Sequence, residues 1–272
     1  MKFINSNFLT LLKNFYLWVK RSLFTESEQI KKYLLIRDMN DAMIKKMIGD
    51  RSIVVLNGPF KGMKYISSAN GSQLIPKILG SYEEPIHFWI NQILNDRSYT
   101  KILDVGCAEG YYAIGFALSI HKPKVIAFDI DLDALVNLQK LAEINGVVDQ
   151  VDARKKFEPS FVTQILEQES AQKILIFMDV EGAEADLLDT KQYSSLLACD
   201  VLVELHDCFS YGLTERIINY FSNTHKIHIV VDYPWRSHKY DTGDCKLKDE
   251  ELKFCFDEMR PKGMRWMFAQ RQ

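Results

Sequence analysis

From residue 101 onward the chain alternates short apolar runs with amphipathic stretches, and this rhythm limits the folds open to it. "KILDV" reads as a strand and "YYAIGFALSI" as a helix. "KVIAFDI" and "LDALVNLQKLAEING" repeat the pair, the helix closing at Asn145-Gly146. "QVDA", "KILIFMDV", "CDVLVELHD", "KIHIVVDY" and "MRWMFAQ" read as further strands, with helical segments such as "FVTQILEQE" and "TERIINYFSN" between them. Strands separated by helices at this spacing imply βαβ units. The expected fold is α/β: a doubly wound, mostly parallel, seven-stranded Rossmann-like sheet. Ligands in such sheets sit outside the carboxyl ends of the strands.

The preceding residues follow other patterns. Residues 1–50 read as an N-terminal helical extension. Ile4, Phe8, Leu11, Leu12, Phe15, Trp18 and Val19 form one apolar stripe, with Lys20 and Arg21 after it, and a second helix spans Glu26 to Ile48 and ends at Gly49. The stripe suits packing on the main domain, on a second copy of the chain, or on a membrane surface. Residues 51–98 hold a small hairpin, Ile53–Leu56 against Met63–Ile66, and a helix through Ile86, Trp89, Ile90 and Ile93 leading into the core, which occupies 99–272.

Composition narrows the classes of function. With 34 basic and 36 acidic residues the net charge is −2, so no nucleic-acid partner is expected. Five cysteines without a CxxC pair argue against structural zinc and for a reducing, cytoplasmic setting. Polar residues interrupt any signal-peptide-like run near the start, and no run of about 18 apolar residues occurs.

"KILDVGCAEGYYAIG" sets Asp104, Gly106 and Gly110 between the first strand and its helix. No GK[ST] follows, so this is not a P-loop. An acid just before the first glycine repels a diphosphate and welcomes a cationic or zwitterionic ligand. Asp129 ends the second strand, 25 residues on, near the spacing at which an acid binds ribose hydroxyls. Asp152 is expected at the end of the third strand, where it could accept from an adenine amine. Each carboxylate could instead cap a helix or face solvent.

On "DVGCAEG", "FDID", "MDVEGAE" and "VELHD" the segment 101–206 resembles class I S-adenosylmethionine-dependent methyltransferases, and more narrowly the FkbM-like family. "GPFKGMKY" and "LGSYEEP" resemble segments upstream of that family's core. The resemblance implies a methyltransferase sheet and S-adenosyl-L-methionine as cofactor. Asp104, Gly106 and Gly110 would cradle its methionine part, with Cys107 and Ala108 of the same loop also among the cofactor-binding residues. Asp129 would take the ribose hydroxyls and Asp152 the adenine region, with Ile130 and Asp179 completing the cofactor-binding set. Ala108 stands where many relatives have a third glycine, which is tolerable if its φ is negative. It further implies O-methylation of a sugar or polysaccharide precursor. A small-molecule natural-product O-methyltransferase and a non-catalytic cofactor-binding scaffold are the alternatives, and an NAD-dependent dehydrogenase fits the acidic loop least.

"FMDVEGAEADLL" ends an apolar run in Asp179, Glu181 and Glu184. With Glu204, His206 and Asp207 these are the candidates for the reaction centre. His206 is the expected base, oriented by Glu204 two residues before it on the same strand face. Glu181 is expected to reach substrate or a backbone amide, and Glu184 to act as an early-helix acid. Asp179, Glu204, His206 and Asp207 offer ligands for Mg2+, though the metal is left unassigned. A hydroxyl acceptor is preferred, since no "NPPY"-type sequence follows the fourth strand. Tyr82, Glu83 and Glu84, and the aromatic stretch Asp232–Tyr240, are candidates for the acceptor pocket, while His225 and His228 are expected at the surface.

Overall fold

The computed structural model describes residues 26–168, 173–233, 240–242, 247–261 and 263–272. The apolar stripe of residues 4–19 and residues 234–239 of the aromatic stretch lie outside them.

The sheet is the expected one. Its strands are β1 (Tyr99–Val105), β2 (Lys124–Phe128), β3 (Val151–Arg154), β4 (Lys173–Met178), β5 (Asp200–Leu205), β6 (His225–Val231) and β7 (Arg265–Arg271). They lie in the order β3-β2-β1-β4-β5-β7-β6. The first five pair in parallel, while β7 runs antiparallel between β5 and β6. The chain leaves β1 toward β2 on one side and returns through β4 on the other. The crevice above β1 and β4 is therefore the topological switch point, where such sheets hold ligands.

Alternating side chains explain why the central strands are mostly apolar. Along β4, Leu175 and Phe177 enter one core, while Ile174, Ile176 and Met178 enter the other. β7 divides likewise: Trp266 and Phe268 face the first core, Met267 and Ala269 the second. A strand buried on both faces favours apolar residues at every position, and the buried acids Asp104 of β1 and Glu204 of β5 stand near the strands' carboxyl ends.

The helices are α1 (Glu26–Ile48), α2 (Leu74–Leu79), α3 (His87–Asn95), α4 (Tyr111–Ala117), α5 (Leu132–Asn145), α6 (Ser160–Gln168), α7 (Glu184–Leu187), α8 (Leu213–Phe221) and α9 (Asp249–Phe256). α1 and α5 have the expected bounds. α2 and α9, too short or too irregular in pattern to stand out, were not expected from the sequence. No described helix is long and apolar enough to cross a membrane. The expected hairpin shrinks to one bridge, Val54 to Lys64, flanked by Val55 N–H to Met63 O (2.8 Å) and Tyr65 N–H to Ile53 O (2.8 Å). His225 is buried rather than surface-exposed, with Nε2 2.8 Å from Cys199 O and Nδ1 2.8 Å from Thr224 Oγ1.

Residues 51–98 dock onto the first core through Phe60. Its ring meets Tyr111, Tyr112 and Phe116 edge-on, at centroid distances of 5.2, 5.7 and 5.9 Å. The notch that receives it is Gly115: a Cβ there would lie 2.3 Å from the Phe60 ring. Replacing a helical glycine by alanine normally stabilises by about 1 kcal/mol. Here overpacking, typically about 1–3 kcal/mol, opposes that gain. Gly115→Ala is expected to lower the melting temperature in a thermal unfolding scan, and Phe60→Leu in the same chain to recover part of the loss. A higher melting temperature for Gly115→Ala alone would refute the notch.

Candidate functional site at the carboxyl ends of the sheet

β1 delivers Asp104 and then turns at Gly106 (φ 85). A Cβ on Gly106 would lie 1.8 Å from the Asp179 carbonyl oxygen, so only glycine lets the loop pass the end of β4 this closely. Gly106 and Cys107 donate their N–H groups to Phe128 O, at 2.8 and 3.0 Å, and Asp179 donates to Val105 O at 2.9 Å. The ends of β1, β2 and β4 are thus tied together beneath the loop.

Asp104 is buried, and its Oδ2 has no hydrogen-bond partner. Burial, followed by the charges of Asp129 and Asp179, pushes its carboxyl well above the usual range. An ammonium placed above it would supply both the missing donor and the countercharge. Asp129 stands one residue beyond β2. Its Oδ2 accepts the Ala108 N–H at 2.8 Å and its Oδ1 the Asp131 N–H at 2.8 Å. Each carboxylate oxygen keeps a second lone pair for a ligand hydroxyl. Ile130 follows, 67% exposed, offering an apolar surface beside that carboxylate. Cys107 is buried inside the loop. Ala108 departs from expectation, since its φ is +47, a left-handed conformation that costs a non-glycine residue of order 1 kcal/mol.

Asp152 does not end its strand. β3 runs two residues further, Asp152 pairs in register with Ile126, and its Oδ2 is bound by Arg154 at 2.8 Å. The third strand end therefore carries a basic residue, and the sequence reading placed that end two residues too early.

The second half of the site surrounds His206, which follows β5 directly. Its Nδ1 is 2.6 Å from Glu184 Oε1, and its ring lies parallel to that of Phe209 at 5.6 Å. Its Nε2 faces Asp179 Oδ1 at 3.6 Å and Glu204 Oε2 at 3.7 Å. Glu184 rather than Glu204 orients the imidazole. Glu184 does open a short helix and accepts the Gly182 N–H at 3.0 Å, yet it is wholly buried. Glu204 has its Oε1 held by Arg260, and only its Oε2 faces the imidazole, too far for a hydrogen bond. Burial lowers the His206 pKa, but the Glu184 hydrogen bond and the Asp179 charge outweigh it and raise it above the ordinary 6.5. Glu181, exposed and left-handed (φ 50), adds negative charge near the ring. Asp207 is drawn off to Thr214, whose N–H it accepts at 3.1 Å.

Arg260 is the main residue that the sequence did not disclose. Its guanidinium binds Glu83 and Glu204, with Nε 3.0 Å from Glu258 Oε2, and donates to the Tyr82 hydroxyl at 3.0 Å. Tyr112 donates to Glu83 at 2.5 Å. Burial pushes the Glu83 carboxyl up to about 7, against the lowering effect of Arg260. Tyr82 and Glu83 are candidates from the sequence, but nothing local links them to Arg260, 178 and 177 positions away.

One ligand atom each from Asp179, Glu204 and His206 falls within 4.8 Å of the others. The set includes an imidazole, and Glu204 already binds Arg260, whereas Mg2+ favours oxygen ligands and retained waters. These residues are ill suited to it.

No protein-family model matches the sequence, and no curated protein matches it. Among solved structures, the chain is similar to a human methyltransferase 10 domain containing protein (12% identity, TM-score 0.48, covering 89% of this chain and 99% of that one). It is also similar to the O-methyltransferase TomG from Streptomyces achromogenes, involved in tomaymycin synthesis and solved with S-adenosylmethionine (10%, TM-score 0.45, 65% and 75%). A third is the O-methyltransferase from Bacillus cereus, solved with S-adenosylhomocysteine (13%, TM-score 0.43, 64% and 76%).

The hydrogen bond to Glu184 makes a direct prediction. Glu184→Gln removes the charge that holds the proton on His206, so the pH midpoint of the imidazole, followed by NMR, should move down from its raised position. An unchanged midpoint would show that Glu184 does not control the ring.

Proposed function

We propose that the protein is a class I S-adenosylmethionine-dependent methyltransferase, FkbM-like, that methylates a hydroxyl of a sugar or polysaccharide precursor in the cytoplasm. The observation that carries this reading is the buried Asp104 carboxyl at the switch point, whose Oδ2 has no partner, with Asp129 beside it and no diphosphate-binding cation in the loop. A zwitterionic amino acid joined to a nucleoside answers both acids, and a dinucleotide does not.

The residues fit the group. Asp104 would take the ammonium, the Gly106–Gly110 loop the amino-acid portion, Asp129 the ribose hydroxyls, and Ile130 the face of the base. Asp179, at the end of β4, would close the pocket from below. Asp152 is committed to Arg154 and has no part in it. Bound there, S-adenosylmethionine supplies a methyl group on a sulfonium, open to in-line displacement.

This chain's part is to orient the acceptor and receive its proton. Donating Nδ1–H to Glu184 leaves the Nε2 lone pair of His206 directed at the space beside Asp179 and Glu204. That geometry supports Nε2 as the base for a hydroxyl. Glu204, tied to Arg260, and Glu181 would shape the negative surroundings rather than move the proton. Tyr82 and Glu83, joined to the same network, would border the acceptor. Buried, unpaired Cys107 and Cys199 suit a reducing compartment.

Calorimetric titration with S-adenosylmethionine, S-adenosylhomocysteine and NAD tests the cofactor. Both adenosyl ligands should bind, and Asp129→Ala should weaken them at least tenfold, about 1.4 kcal/mol. Binding of NAD with silence toward the other two would overturn the reading.

A further inference from the structure

The loop after β1 is clamped from a direction the sheet does not supply. Glu109, inside the loop and buried, accepts from the segment upstream of the sheet: the Tyr65 hydroxyl (2.5 Å) and Lys77 Nζ (2.5 Å) at Oε1, and the Asn70 N–H (2.9 Å) at Oε2. Lys77 sits on α2 and is as deeply buried as its partner, with side-chain exposures of 3% and 0%. Its ammonium also lies 4.9 Å from the centre of the Tyr82 ring and 5.7 Å from that of Tyr111. Asn70 is itself steadied by Asn137 of α5 at 3.0 Å.

On the other flank of the loop, Asp129 accepts the Ala108 N–H. At and just after these two anchors the backbone is left-handed, at Ala108 (φ 47) and Gly110 (φ 97). Such a conformation persists at an alanine only where its surroundings over-determine it. A buried lysine–glutamate pair is a poor device for stability alone, because a matched apolar pair does as well or better. What it supplies is direction: a carboxylate with three donors has one orientation, and the backbone that carries it follows.

We propose that Lys77 is a positioning residue for this loop: through Glu109 it holds Cys107–Gly110 in the shape the ligand meets, so that a segment outside the βα repeats sets the affinity of the switch-point site. The affinity part rests on the cofactor reading above, and the loop-holding part does not. The Tyr65 hydroxyl, kept well above its usual pKa by burial and by Glu109, stays a donor across the working pH range.

Two readouts on Lys77→Met and the milder Tyr65→Phe test this, with Phe221→Leu as a control destabilised in the opposite core. In native-state hydrogen exchange, Lys77→Met should speed the Ala108 and Gly110 amides at least tenfold while Ile176 and Phe177 of β4 keep their rates. By calorimetry, at a temperature where the variant is folded, its Kd for S-adenosylhomocysteine should rise at least tenfold. Tyr65→Phe should shift both in the same sense by less, and Phe221→Leu should shift neither. Loop amides unchanged in either folded variant, or changed equally in Phe221→Leu, would overturn the proposal; if Lys77→Met does not fold, Tyr65→Phe decides. Wild-type protein silent toward S-adenosylhomocysteine would sink the cofactor reading and the affinity part with it, while the exchange rates still decide whether Lys77 holds the loop.

Discussion

The Arg260 guanidinium, buried among Glu83, Glu204 and Glu258, sets the arrangement of everything at the acidic end of the sheet. It joins a turn ahead of α3, the middle of the sheet and the stretch after α9, which have no local reason to meet. Burying a carboxylate without a partner is expensive, and breaking a buried ion pair typically costs about 3–5 kcal/mol. These three segments therefore assemble together or leave the acids exposed. One cation does not neutralise three acids. Burial raises the carboxyls of Glu83 and Glu204 in spite of Arg260.

That arrangement also decides what surrounds His206. With one oxygen of Glu204 bound to Arg260, the imidazole takes its orienting bond from Glu184 on the next connection. The result is a compromise familiar for bases near neutrality. A carboxylate partner strengthens the ring as a proton acceptor, and the same charge keeps it protonated to higher pH. Phe209, stacked on the ring, and the wholly buried Glu184 limit the water that would weaken either effect.

The sequence disclosed whatever is periodic or local. The central strands were legible because β4 and its neighbour β5 are buried on both faces and so read as largely apolar runs. Asp104, Gly106 and Asp129 were legible because a strand, a turn and a helix fix their places within a few residues. The pairings Lys77–Glu109 and Arg260–Glu83 were not, since they span 32 and 177 positions and leave no trace in any short window. Glu184 was misread for the opposite reason: its place in the first turn of a helix gave a sufficient local explanation and hid the long-range one. Asp152 failed on a boundary, because a four-residue strand gives too few alternations to locate its end.

The distribution of backbone strain bears on where function lies. Among the described residues, five that are not glycine adopt left-handed φ: Glu83, Ala108, Lys122, Glu181 and Met259. Lys122 belongs to the turn that leads into β2. The other four are in the loop after β1, the connection after β4, the turn that carries Glu83 and the residue before Arg260. Strain of roughly 1–3 kcal/mol at each such position survives only where neighbouring packing and hydrogen bonds leave no alternative. Here the alternatives are closed by two apolar cores below and by buried ion pairs at the rim. A sheet selected for stability alone would have glycine or asparagine at these turns. Side chains held in strained conformations around one crevice are better explained by what they do there, whether as Ala108 bound by Asp129 or Glu83 against Arg260, than by the fold they are part of.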